Sequence, residues 1–225
     1  MNNQNKIFIS LYAFWAVIVF ALTFISKGYN PDNITHILII IFFLVQLTTY
    51  PLIRVVSKKF SPKITFLIFG LIFAAVVEGL YMISDPLFES LKFVAGISIG
   101  KMISNFLIDL VFTIPVYIVV FLVIWYFINK YNYKLWEYLL FISLGQALGD
   151  GGIYFLASPF MLVFLPYVMI NYHSMNLIPY LLTKNNLKPQ NNSWMKYVVP
   201  PISIIVLYIL FGIIINIIGP LFSLT

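Results

Sequence analysis

Only seven acidic side chains occur in 225 residues, and several fall inside long apolar runs. An ionisable group there is expensive, and by default it marks a proton, ion or substrate path. Glu78 is the sharpest case. It follows Gly70 and Ala74 at i, i+4 and i+8, so the three share one helix face. Small residues let a second helix approach that face, which turns Glu78 toward the interior. Tyr81 and Asp85 follow on nearly the same face. A carboxyl so placed can take up a proton or cation or serve as a general acid. The plainer alternative is a bond to a neighbouring helix or a pair with Lys101.

A second polar stripe runs through Ser98, Lys101, Asn105 and Asp109, one face of a helix that begins before Met102. Such a stripe needs water, a substrate path or another helix beside it, and Asp109 is the expected partner of Glu78. The third group lies in the stretch 135–170. Gln146 and Asp150, at i and i+4, put an amide and a carboxylate on one face. Gly145 and Gly149 form a G-x-x-x-G pair, usually a packing signal, and Asp150-Gly151-Gly152 fits a turn. The fifteen residues before the glycines make about 22 Å of helix, short of a hydrocarbon core of about 30 Å. Short, glycine-broken segments point to discontinuous helices that line a binding site.

The other chemistry-bearing residues are few. His36 and His173 are expected on opposite sides of the membrane, which excludes a two-histidine metal site in this threading. No metal site and no cofactor are expected. No H-E-x-x-H, P-loop, G-x-S-x-G or pair of Asp-rich segments is present, so the motifs leave open whether the chain is an enzyme. With no cysteine, disulfides, thiolate metal sites and cysteine nucleophiles are excluded.

The elements that position these residues are set by composition. The chain is 62% hydrophobic and 9% charged, with a mean hydropathy of +1.00, far from the roughly one-quarter charged residues of soluble domains. The expectation is an all-α polytopic helix bundle, a single transmembrane domain over 1–225 with about seven membrane segments. They fall at 7–25, 34–53, 64–83, 102–128, 135–149, 153–170 and 197–218. The pair 135–149 and 153–170 forms a short hairpin that either spans or re-enters. The segment 171–196 reads as a loop whose apolar patch, 177–182, lies on the surface. Prolines at 51 and 115 suggest an early end or a bend in their helices.

Alternating these segments across a membrane places ten basic residues on the side of the N-terminus and three on the other. By the positive-inside tendency, the N-terminus is cytoplasmic and the C-terminus extracytoplasmic, in a cell membrane. The net charge of +6 is explained by these short basic loops, so no nucleic-acid partner is expected. The expected partners are the lipid bilayer, a proton or cation, and a small-molecule or lipid substrate; the oligomeric state is open.

Two functional readings follow. The first is a small transporter or solute-binding membrane protein with an outward-facing, carboxylate-lined cavity. Its pathway would use Glu78, Asp109, Asp150, Gln146, Asn105, Tyr81 and Asp85. The alternative is a membrane-embedded enzyme acting on a lipid or isoprenoid, or a non-catalytic accessory subunit whose acids only bind helices.

Overall fold

The computed structural model describes residues 3–151, 157–188 and 191–222. Among the described residues are seven α-helices and no strand. They are α1 (Asn3–Lys27), α2 (Pro31–Ser57), α3 (Pro62–Tyr81), α4 (Ile99–Lys130), α5 (Leu135–Asp150), α6 (Leu165–Thr183) and α7 (Val199–Ile218). Six helical stretches are long and apolar enough to cross a membrane, and α5 is not among them. The chain is therefore an all-α polytopic bundle that fits a lipid bilayer.

Local chemistry starts the helices. The Asn30 side chain accepts from the backbone N–H of Asn33, with Pro31 at the first helical position of α2. Ser61 and Ser98 cap α3 and α4 in the same way. Gly28, at φ +62° between α1 and α2, takes a left-handed conformation that suits glycine. Neither Pro51 nor Pro115 ends its helix, since α2 continues to Ser57 and α4 to Lys130. At 32 residues, α4 is about 48 Å long, so it tilts or extends beyond the hydrocarbon.

The packing centre is α6. It touches α1, α2, α3 and α5, while α7 closes the bundle against α5 and α4. The sequence reading placed a loop over 171–196 with a surface patch at 177–182, and ended a second hairpin limb at Ile170. Instead, one helix runs from Leu165 to Thr183, and Leu177, Ile178 and Tyr180 are buried. The physical cause is the surroundings. A helix enclosed by other helices does not face lipid, so its polar residues are solvated by protein and its hydropathy is low. Residues 152–156, which include the tip of the expected hairpin, lie outside the described residues.

The short α5 is held close to its neighbours by its glycines. A Cβ on Gly145 would lie 2.8 Å from Pro201 Cα, and one on Gly149 would lie 2.8 Å from Tyr208 Cβ. Both glycines let α7 approach, the packing role of G-x-x-x-G. At the Leu135 end, Glu137 forms a buried 2.8 Å ion pair with Lys196. Glu137 also accepts from the backbone N–H of Lys134 and from the Tyr197 hydroxyl.

Candidate functional site

Glu78 lies on the face shared with Gly70 and Ala74, turned to α4. A Cβ on Gly70 would sit 3.0 Å from the Phe121 ring, and Ala74 is fully buried. One turn on, the Tyr117 hydroxyl of α4 donates to the Glu78 carboxylate. Among the described residues no lysine pairs with Glu78, and Lys101 is exposed, so the Glu78–Lys101 pair does not form. Glu78 lies within electrostatic reach of both Asp109 and Asp150.

Asp109 and Asn105 are buried, and their stripe serves the loop that follows α3. Asp109 Oδ1 accepts from the Leu87 backbone N–H at 3.2 Å, and Asn105 Nδ2 donates to the Leu91 carbonyl at 2.9 Å. These bonds draw the loop against α4 where the stripe needed partners. Asp109 Oδ2 and Asn105 Oδ1 are buried with no partner. Asp85, in the same loop, stays exposed.

Gln146 and Asp150 both turn toward α6. Gln146 Oε1 accepts from Asn176 Nδ2 at 2.5 Å, and Asp150 Oδ2 accepts from the Tyr172 hydroxyl at 2.6 Å. Asn176 Oδ1 accepts from the Tyr138 hydroxyl at 3.1 Å. Gln146 Nε2 and the Tyr208 hydroxyl are buried side by side. Tyr208 is also within electrostatic reach of Asp150 and Glu78. Asp150 therefore ends α5 about two turns into α6, beside tyrosines from α6 and α7.

A second network lies at the start of α2. The His36 ring stacks on Tyr167 with centroids 3.6 Å apart, and Tyr167 donates to Asn33 Oδ1 at 2.8 Å and Asp32 Oδ2 at 3.1 Å. His36 Nδ1 lies 3.2 Å from Asp32 Oδ1. Tyr81, expected beside Glu78, faces His36 Nε2 at 3.4 Å and accepts from Asn171 Nδ2. His173 is not at the interface, as its polar sequence neighbours suggest. It is buried in the core, between Ser143 (2.9 Å from Nδ1) and Tyr12 (2.8 Å from Nε2).

The structure thus draws Glu78, Asp109, Asp150 and Tyr81 into one electrostatic neighbourhood. Asn105 ties the loop after α3 to α4, Gln146 serves an interhelical hydrogen bond, and Asp85 is left outside. Among the described residues no three of His, Asp and Glu are grouped so that they could hold a metal ion. The partners missed by sequence reasoning are Tyr117, Tyr172, Tyr208 and Tyr167, because a tyrosine in an apolar run reads as apolar mass. The polar run Asn171–Asn176 inside α6 was the one available signal. No family model matches the chain, and neither a characterised protein nor a solved structure matches it.

Proposed function

We propose that the protein is a small proton- or cation-coupled transporter or solute-binding protein of the cell membrane. Glu78 is the coupling group, with Asp109 and Asp150 as its electrostatic neighbours. One observation carries this reading: within the bundle, these three carboxyls meet hydroxyls and a backbone N–H, and no Lys, Arg or His pairs with them among the described residues. Neutrality must then come from a proton or a bound cation, because an uncompensated charge inside a membrane domain is expensive. Binding of a solute cation, or of a group that donates to Glu78, would exchange with that proton and couple the two movements.

In this reading the N-terminus is cytoplasmic and the cluster lies nearer the extracytoplasmic face. Single cysteines placed in the cysteine-free chain test that threading: a Cys in 54–63 labelled from outside intact cells would reverse it. The coupling is tested in proteoliposomes loaded with a pH dye and challenged with a panel of small organic cations and neutral solutes. A solute that changes the lumenal pH through the wild type should have no effect through Glu78→Gln, which preserves shape but cannot titrate. An unchanged response in a stably folded Glu78→Gln removes the reading.

One observation favours a second reading, the membrane-embedded enzyme. Ser143 Oγ lies 2.9 Å from His173 Nδ1, and Tyr12 orients the opposite ring nitrogen, a nucleophile–base–orienter arrangement. Ser143 is fully buried, so lipid would reach it only after the helices around it part. Labelling of Ser143 by a lipophilic fluorophosphonate, lost in Ser143→Ala, would place the enzyme reading first.

A further inference from the structure

We propose that His36 and Tyr81 form the proton entry to the interior carboxylates, an inference that rests on the proton-coupled reading above. The two residues join a wet acid to dry ones. The Asp32 side chain is 38% exposed, whereas the His36 side chain is 2% exposed. Tyr81 is the group between them and the interior: it lies within electrostatic reach of Asp32 on one side and of Glu78 and Asp150 on the other.

The hydrogen-bond pattern assigns the resting tautomer. His36 Nδ1 is 2.9 Å from the Asp32 backbone carbonyl and 3.2 Å from its Oδ1. Both are acceptors, so Nδ1 carries the hydrogen and Nε2 is the free base. Nε2 faces the Tyr81 hydroxyl at 3.4 Å, and that oxygen already accepts from Asn171 Nδ2. At rest the Tyr81 hydrogen therefore points outward, to His36.

Proton entry uses both ring nitrogens. From the tautomer with hydrogen on Nε2, Asp32 Oδ1, protonated from solvent, donates to Nδ1 at 3.2 Å, while Nε2–H donates to the Tyr81 oxygen and the Tyr81 hydrogen turns toward the interior. Transfer breaks the Asp32 O–H, the Nε2–H and the original Tyr81 O–H bonds. It forms Nδ1–H on His36, a new O–H on Tyr81 and one on the carboxylate of Glu78, one turn back on α3. His36 ends in the tautomer assigned above, Asp32 is again an anion and one proton has moved inward; tautomer exchange then resets the ring. Asn171 Oδ1, buried and without a partner, supplies an acceptor for a bridging water along this step.

Acidic and aromatic groups surround the ring. Asp32 on α2 offsets the imidazolium from one edge, and Tyr167 of α6 covers a ring face at 3.6 Å. Such a face attracts a cation. From α1, Phe20 meets the ring edge-on and Lys27 sits 4.0 Å from Asp32. Lys27 tempers the acid without touching the histidine. Tyr81 is the group that α3 presents.

The test is a pH-jump infrared measurement on the purified full chain in lipid, following the carbonyl band of the protonated carboxyl. The Glu78 contribution is the part of that band lost in Glu78→Gln. His36→Gln keeps hydrogen-bonding groups but cannot relay, and Tyr81→Phe removes only the hydroxyl. Each should retain the Glu78 band while its appearance slows by about tenfold or more, a general acid–base effect. A wild-type rate in both variants overturns the relay and leaves the proton-coupled reading intact. A Glu78→Gln variant that loses no carboxyl band overturns that reading itself. The variants lie on different helices, so if one fails to fold the other still decides the outcome.

Discussion

Two neighbouring helices of similar length, α6 and α7, follow opposite rules. In α6, fifteen of the 19 residues are buried, among them Tyr167, Asn171, Tyr172, His173, Ser174, Asn176 and Thr183. In α7, three of the 20 are buried, Pro200, Pro201 and Ile204, and eight of the rest are exposed large apolar side chains. The more polar helix is the more deeply enclosed. In a soluble protein the order would be reversed, since water drives apolar side chains inward. In a bilayer the surroundings are apolar, so hydroxyls and amides gain by meeting one another inside the bundle, and aliphatic side chains lose nothing by facing lipid.

The contrast can be broken most severely at the charged turn that leads into α7. Lys196 enters just before α7 and pairs with Glu137, with both side chains nearly sealed, 6% and 5% exposed. Lys196→Met leaves Glu137 buried and unpaired, and the expected loss is about 3–5 kcal/mol. Thermal unfolding in detergent reads it. Adding Glu137→Leu should recover much of that loss, and a double variant no better than the single would show that the charge pair is not the cause.

A smaller loss is expected inside α6. Asn176 is fully buried and links Gln146 and Tyr138. Asn176→Leu, nearly matched in volume, strands both partners and should cost about 2 kcal/mol, less than in a soluble core because the unfolded chain in lipid also finds partners. A neutral result would mean that α6 is apolar-tolerant and that the comparison with α7 overstates its polar role.

Glycines give a matched pair. Gly145→Ala on α5 drives a methyl to 2.8 Å from the Pro201 backbone, and about 1–2 kcal/mol should be lost as α7 is pushed away. Gly212→Ala on α7 has nothing within 4 Å of the new methyl, and better helix propensity should leave stability equal or higher by up to about 1 kcal/mol. The two are compared in the same melt. The smallest effect is expected on the lipid face, where Ile213→Leu, at a 54% exposed position, should stay within about 0.5 kcal/mol. A larger loss there would reveal that the lipid face of α7 is covered by another protein.

Much of the candidate site was legible as one-dimensional geometry. Gly70, Ala74 and Glu78 share a face because the α-helix repeats every 3.6 residues, and that face does receive α4. Gln146 and Asp150 share a face for the same reason, and both reach α6. What spacing did not supply was the identity of the partners. Glu78 meets Tyr117 directly, while Asp109, the expected partner, stands within electrostatic reach, because the rotation of α4 about its own axis depends on all of its contacts. The His36 network draws on α1, α2, α3 and α6 together, and no window of sequence contains it.

The amino-acid sequence by itself determined that the chain is a helical bundle for a bilayer, since its apolar runs exceed anything a soluble core requires. It also carries the caps that begin three helices, Asn30, Ser61 and Ser98, and sets which faces carry the rare acids. Only the tertiary structure decided that Leu165–Thr183 is the central helix and that Glu78 stands within electrostatic reach of Asp109 and Asp150, with no pairing cation among the described residues. The physical reason is that hydropathy measures transfer of a segment to lipid, a test that a lipid-facing helix must pass. A helix packed against four others is solvated by protein, and whether it is so surrounded is a property of the assembled bundle alone.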